Sequence, residues 1–369
     1  MKYLPQLPLL ALMLTGACGG GDDASPDSPD GGTSDPLCQD QVQTVDLQAE
    51  WLSSSPGSFR LAAYRVGAAS ATDGRLSVPL SVHRPDDALE LSVLDATASL
   101  SPLADLADTG TGYVLSSAAV AMAPGLDCVL YQPRDSNLLF TCSDGTTEDV
   151  GDKVYSETML PVLWSDGTLS VFTRTYASFT EFRRSPSGSW SEVEKYESSI
   201  SGPRDALVHD GIPAVCFVAN SGRAVIQFGA SEMRSSVDVD DCSLVDDGTS
   251  LHVLTDQGYA AIEWSMMPSA QSFELSPSAH EGEVLALVII DREAQVVSAS
   301  DDGTSIEVTA VRSGEKRVLA SLPTDYRSVQ AKYDAQAEIL HIVTSTLEDS
   351  RSPEPAKQTI QIDSLCIGS

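Results

Sequence analysis

Apolar positions in this chain fall into short runs bounded by turn residues, and long stretches of helical period are scarce. The runs are rich in Val, Ile, Thr, Phe and Tyr, the side chains that fit a pleated surface, so they predict strands. The clearest series lies between Val284 and Pro323. Leu285-Ala286-Leu287-Val288-Ile289-Ile290 is continuously apolar, as a buried strand is, and Gln295 to Ser300 follows as the next. Asp302-Gly303 supplies a tight turn, Ser305 to Val311 alternates, Ser313-Gly314 turns again, and Arg317 to Ala320 closes the set. Four successive strands of this kind form a meander of about 40 residues.

Comparable units run from Leu160 to Tyr196, Leu207 to Val239, Cys242 to Leu275 and Val329 to Ile362, and Asp-Gly turns recur at Asp73, Asp144, Asp166, Asp247 and Asp302. Between residues 38 and 150 no regular register emerges. A single meander cannot bury a face by itself, whereas meanders arranged radially share their cores. The expected fold is therefore all-β, and residues 38–369 at roughly 40–50 residues per blade predict a β-propeller of six to eight blades, with seven the central value. The segment resembles β-propellers of secreted bacterial proteins, including a Gly-x-Trp turn at Gly188 to Trp190. It lacks the Trp-Asp signature of WD40 repeats and the spacing of sialidase Asp boxes, so the resemblance implies an architecture and no activity. Tandem β-sandwiches are the alternative, since they too are built of short strands with regular turns.

The N-terminus carries a different pattern. Lys2, the apolar stretch Leu7 to Leu14 and the small residues Thr15-Gly16-Ala17 have the layout of a secretory signal, and the apolar stretch is too short to span a bilayer. Cys18 follows at once, and this arrangement resembles a bacterial lipoprotein signal. The resemblance implies cleavage before Cys18, lipidation of its thiol and a membrane partner engaged through the acyl chains. Residues 19–37 contain five Asp, no basic residue and no apolar run up to Pro36, a composition expected to act as a disordered tether. Gly19, rather than Asp, after the cysteine points to the outer membrane. The predicted organisation is a signal over 1–18, a tether over 19–37 and a folded domain over 38–369 in the bacterial cell envelope.

Charge narrows the partners. With 22 Lys and Arg against 53 Asp and Glu, the formal net charge is −31, which disfavours phosphate backbones, so nucleic acid is not expected. Acidity of this degree also favours solubility, in keeping with a monomer. Six cysteines besides Cys18 form an even set in an exported chain and predict disulfides. Fifteen pairings are possible. Sequence separation favours Cys128 with Cys142 across a hairpin, Cys216 with Cys242 between neighbouring strands, and Cys38 with Cys366 tying the two ends, as closure of a ring would require.

No catalytic signature is present: no Gly-x-Ser-x-Gly elbow, no His-Glu-x-x-His, no phosphate loop and no dinucleotide-binding glycine pattern. No Cys or His spacing suits zinc, and neither a metal nor a cofactor is expected. His252 and His341 lie within apolar strand patterns and are expected to be packed, while His83, His209 and His280 adjoin turns. Of Trp51, Trp164, Trp190 and Trp264, Trp190 beside its Ser-Gly-Ser turn is the best placed to meet a ligand. These features favour a membrane-anchored binding or scaffold module that engages an envelope protein or glycan through one propeller face. The rival is an envelope glycan hydrolase or lyase using loop carboxylates.

Overall fold

The computed structural model describes residues 39–367 except 56–57, 73, 84–88, 107–113, 124, 134–136, 152–158, 175–177, 198, 281 and 349–355. Cys18, Cys38 and the tether lie outside the described residues. The strands form seven sheets, one per blade.

β1 (Gln41–Ser55) and β2 (Ser58–Ala62) open the chain. Blade one holds β3 (Arg65–Val66) and β4 (Ser70–Thr72), both paired to β5 (Arg75–His83), then β6 (Leu89–Asp95) and β7 (Leu100–Leu106). Blade two is β8 (Val114–Ala123), β9 (Leu126–Pro133), β10 (Leu138–Cys142) and β11 (Thr147–Gly151). Blade three is β12 (Met159–Leu163), β13 (Leu169–Arg174), β14 (Ser178–Arg184) and β15 (Trp190–Glu197). Blade four is β16 (Ser199–His209), β17 (Ile212–Ala219), β18 (Arg223–Phe228) and β19 (Ser231–Asp238). Blade five has β20 (Cys242–Asp246), β21 (Ser250–Thr255) and β22 (Gly258–Glu263). After the short β23 (Ser272–Phe273), blade six is β24 (Glu283–Ile290), β25 (Glu293–Ala299), β26 (Ser305–Ala310) and β27 (Lys316–Ser321). Blade seven is β28 (Tyr326–Asp334), β29 (Ile339–Leu347) and β30 (Ala356–Cys366), completed by β1.

The ring closes by that last pairing. β1 runs antiparallel to β30 from Gln41↔Ser364 to Ala49↔Ala356, so the first described strand joins the final blade, with β2 at the edge of that sheet. The inner strands pack in sequence around the ring, and β28 returns against β4. The fold is a seven-bladed β-propeller, not a pair of sandwiches.

Burial follows the blade seams. Seven apolar clusters occur among the described residues, each joining two consecutive blades. Val343, Ile360 and Ile362 of blade seven, for example, meet Val78, Leu80 and Leu94 of blade one. A middle strand therefore has a neighbouring blade on each face, which is why Val215 to Ala219 of β17 and Leu340 to Ser345 of β29 are buried without interruption. Outer strands lose that cover. β27 reads exposed at Lys316, Arg317 and Val318.

The Asp-Gly turns share one construction. At Asp144, Asp166, Asp247 and Asp302 the next-but-one residue is Thr, whose backbone N–H donates to the Asp Oδ1 at 2.8, 2.8, 2.8 and 3.0 Å. The glycine between them sits at φ +88, +85, +86 and +67 respectively, a left-handed conformation that Gly adopts without steric cost.

Two disulfides are described. Cys128–Cys142 links paired positions of the β9–β10 hairpin. Cys216–Cys242 joins β17 to β20, so it fastens blade four to blade five. Cys366 is also disulfide-bonded; the pairing expected for it involves Cys38, which lies outside the described residues.

Blade five departs from the four-strand expectation for Cys242 to Leu275. After β22 the chain turns through a 3-10 helix at Trp264–Met266, and β23 then pairs in parallel with β19 of blade four. Only the bridge Tyr259↔Ser276 brings the segment back beside β22. Pro268, just beyond the helical turn, has no N–H to give to a sheet edge, so an uninterrupted fourth strand cannot form there.

Candidate functional site

A cleft of about 750 Å³ lies where the inner strands of several blades begin. Blade one contributes Tyr64 to Ala68 and Ser81, blade two Ser116 and Ser117, blade three Met159 and Leu160, and blade seven the remainder, including Arg327, Ser328 and Gln358. Arg65 and Arg327 are exposed. None of the described lining residues is Asp or Glu.

The wall carrying Arg65 is too irregular to hold itself. β3 is only two residues long, and side chains from blade seven fasten it. Gln358, 3% exposed, accepts from the Tyr64 N–H at 2.8 Å while its Nε2 donates to the Tyr64 carbonyl at 2.9 Å and to Ser345 Oγ at 3.0 Å. Gln330 repeats the device, accepting from the Ala69 N–H at 2.9 Å and donating to the Gly67 carbonyl at 3.0 Å. Asp334 then takes the Gly74 N–H at 2.5 Å. These side chains supply the donors and acceptors that a regular strand would have found in a neighbour.

Blade two grips the same segment from the other side. The Ala68 N–H donates to the Ser117 carbonyl and the Ala119 N–H to the Ala68 carbonyl, both at 2.9 Å. The approach is close enough that a Cβ on Gly67 would lie 2.1 Å from Ser117 Oγ and 2.5 Å from the Ser117 carbonyl oxygen. Glycine at this position lets three blades meet at one wall of the cleft.

The residues singled out from sequence lie elsewhere. Trp190 is half-buried between blades two and three, its ring edge-on to Phe140 at 5.7 Å and its Nε1 donating to Glu148 Oε2 at 2.6 Å. Arg184 binds both oxygens of the same carboxylate at 2.7 and 2.6 Å. Those guanidinium bonds hold the Glu148 carboxyl below its ordinary range. Trp164 donates to Ser170 Oγ at 2.9 Å, and Arg183 lies over its ring at 4.7 Å. Trp264 is buried, stacked on His209 at 4.0 Å, and Asp246 accepts from both rings. The side chain of Trp51 is outside the described residues.

The histidines in apolar patterns are packed, as expected. His252 engages Tyr259 OH through Nδ1 and Asp247 Oδ2 through Nε2. Burial raises the Asp247 carboxyl, but hydrogen bonds from His252 and from the Thr249 and Ser250 amides outweigh it and hold the group well below its usual range. His341 is 1% exposed with Nδ1 against Ser364 Oγ, and burial lowers its affinity for a proton. His280 pairs with Ser278 Oγ at 2.7 Å, the side chain of His83 is not described, and Glu281 lies outside the described residues. Among the described residues no three His, Cys, Asp or Glu side chains gather as a metal ion requires.

Fold and cleft define the class: a seven-bladed propeller with an arginine-bearing cleft at the inner ends of its blades. No protein-family model matches the chain, and no curated protein sequence matches it. Among solved structures it is similar to a chain of a mitotic checkpoint complex, with TM-score 0.52 and 14% identity over 94% of this chain and 99% of that one. It is similar also to the polysaccharide lyase Uly1, with TM-score 0.51 and 10% identity over 87% and 98%. A fucose-bound lectin of Aleuria aurantia aligns at TM-score 0.41 and 14% identity over 71% and 96%. At these identities the likeness is one of fold.

Proposed function

We propose that this protein is a binding module held at a bacterial cell envelope, at the outer membrane, by a lipid on Cys18, with residues 19–37 as tether and the cleft as its engaging face. The observation that carries the binding role is the cleft itself, a concavity of mixed polar and apolar lining built by side-chain clamps from blade seven onto an irregular wall of blade one. Small-molecule and glycan sites favour such convergent polar groups in a preformed hollow. The partner is an envelope protein or glycan.

The full chain is tested for binding to purified envelope glycan and envelope protein fractions, alongside Ser328→Trp, which fills the cleft from an exposed position. Binding by the wild type and its loss in the variant are expected. Equal retention of both, or turnover of the glycan abolished by one Asp or Glu substitution, overturns the reading. The anchor is tested by Cys18→Ala, which is expected to release the protein from membranes. An unchanged distribution, with no lipid on the wild type, refutes the anchor.

A further inference from the structure

We propose that the cleft takes a short saccharide bearing one anionic group, a carboxylate or a sulfate ester, with Arg327 as its charged contact and Arg65 elsewhere in the same lining. The proposal rests on reading the cleft as the binding site.

Charge selection is the first argument. Acidic residues outnumber basic ones 53 to 22 in this chain, yet the described cleft lining holds two arginines and no carboxylate. Many arginines elsewhere are neutralised by neighbours, as in Arg75–Asp127, Arg183–Glu181 and Arg184–Glu148. Arg327 is exposed, and among the described residues no ion pair engages it. A guanidinium fork left open at the mouth of a cleft matches the two oxygens of a carboxylate or sulfate.

The remaining lining argues for a sugar. Ser328 offers an exposed hydroxyl that both donates and accepts, Ser81, Ser116 and Ser345 add hydroxyls to the lining, and Leu160 and Leu347 present apolar surface. Ring hydroxyls and the C–H faces of a saccharide need that mixture. The volume falls within the roughly 300–1,000 Å³ of small-ligand sites, which suits a short oligosaccharide and not a protein surface. A net charge of −31 repels a polyanion at long range, so a ligand with a single anionic group is favoured over a densely charged chain.

Isothermal titration of the full chain with three disaccharides tests this: an aldobiouronic acid, a disaccharide of the same size with one sulfate ester, and the uncharged disaccharide. One or both charged sugars are expected to bind at least tenfold more tightly than the neutral one, and their ranking tells carboxylate from sulfate. Arg327→Gln is expected to lower that affinity about tenfold, equivalent to about 1.4 kcal/mol. Arg317→Gln, exposed on blade six, is expected to leave it unchanged. Equal binding of neutral and charged sugars, no binding of any, or an unaffected Arg327→Gln overturns the inference. The broader binding role stands or falls separately on Ser328→Trp.

Discussion

Replacing Gln358 by leucine tests whether side chains from the last blade really build the cleft wall. The glutamine is 3% exposed and makes three hydrogen bonds, two of them to the backbone of Tyr64. Leucine keeps most of the volume and removes every donor and acceptor. Each net hydrogen bond contributes about 0.5–1.5 kcal/mol, and each buried backbone group left unpaired costs about 1–3 kcal/mol. Water entering from the open cleft re-satisfies part of the Tyr64 backbone, so the lower ends apply and the expected loss is about 3 kcal/mol. Equilibrium urea unfolding of the full chain, followed by tryptophan fluorescence, measures it as a lower midpoint at unchanged slope. Affinity for the cleft ligand is expected to fall as well, because Arg65 follows Tyr64. A change below about 0.5 kcal/mol, the range of ordinary surface substitutions, would refute the clamp argument.

Three further outcomes follow from the same structure. Removing the inter-blade disulfide as Cys216→Ser/Cys242→Ser, which opens a sequence separation of 26 residues, is expected to cost about 3.5 kcal/mol from loop entropy, read as a denaturation midpoint; a loss under 1 kcal/mol would contradict it. Glu148→Ala strands the Arg184 guanidinium and the Trp190 N–H in a partly buried seam, with an expected loss of about 2–3 kcal/mol. Because the Glu148 carboxyl is held low, its stabilisation is present above the unfolded carboxylate range and is lost as pH falls through the folded value, so the gap between wild type and variant narrows in acid. His341 has its proton affinity lowered by burial, so protonation disfavours the fold, and its contribution declines as pH drops below the unfolded histidine value of about 6.5. His341→Gln is expected to flatten the stability profile between pH 7 and 5 relative to wild type; parallel profiles would exclude this role.

Much of the propeller was legible because its middle strands lie between two blades. Burial on both faces turns them into unbroken apolar runs, such as Ala214 to Val218 of β17, and unbroken runs are easy to read. Asp-Gly turns were legible for a local reason, a glycine confined to positive φ, although the threonine that follows in four of them was the stronger repeat signal. The Cys128–Cys142 hairpin was visible in its spacing. Blade one was not visible: β3 and β4 are too short to carry a period, and their partners are Gln330, Asp334 and Gln358 at the far end of the chain. For the same reason neither Arg65 nor Arg327 stood out, whereas Trp190, conspicuous beside its turn, lies in a seam with its N–H already bonded.

The amino-acid sequence by itself determined the all-β class, the number of blades within one, the hairpin turns and the excess of negative charge, because each depends on residues near one another in the chain. Tertiary structure decided the closure of the ring through β1 and β30, the clamping of the blade-one wall by Gln330 and Gln358 of blade seven, and the placing of two arginines in one cleft with no described carboxylate. Those features depend on which distant strands share a seam. A seam is selected by the packing of the whole ring, and no local period encodes it.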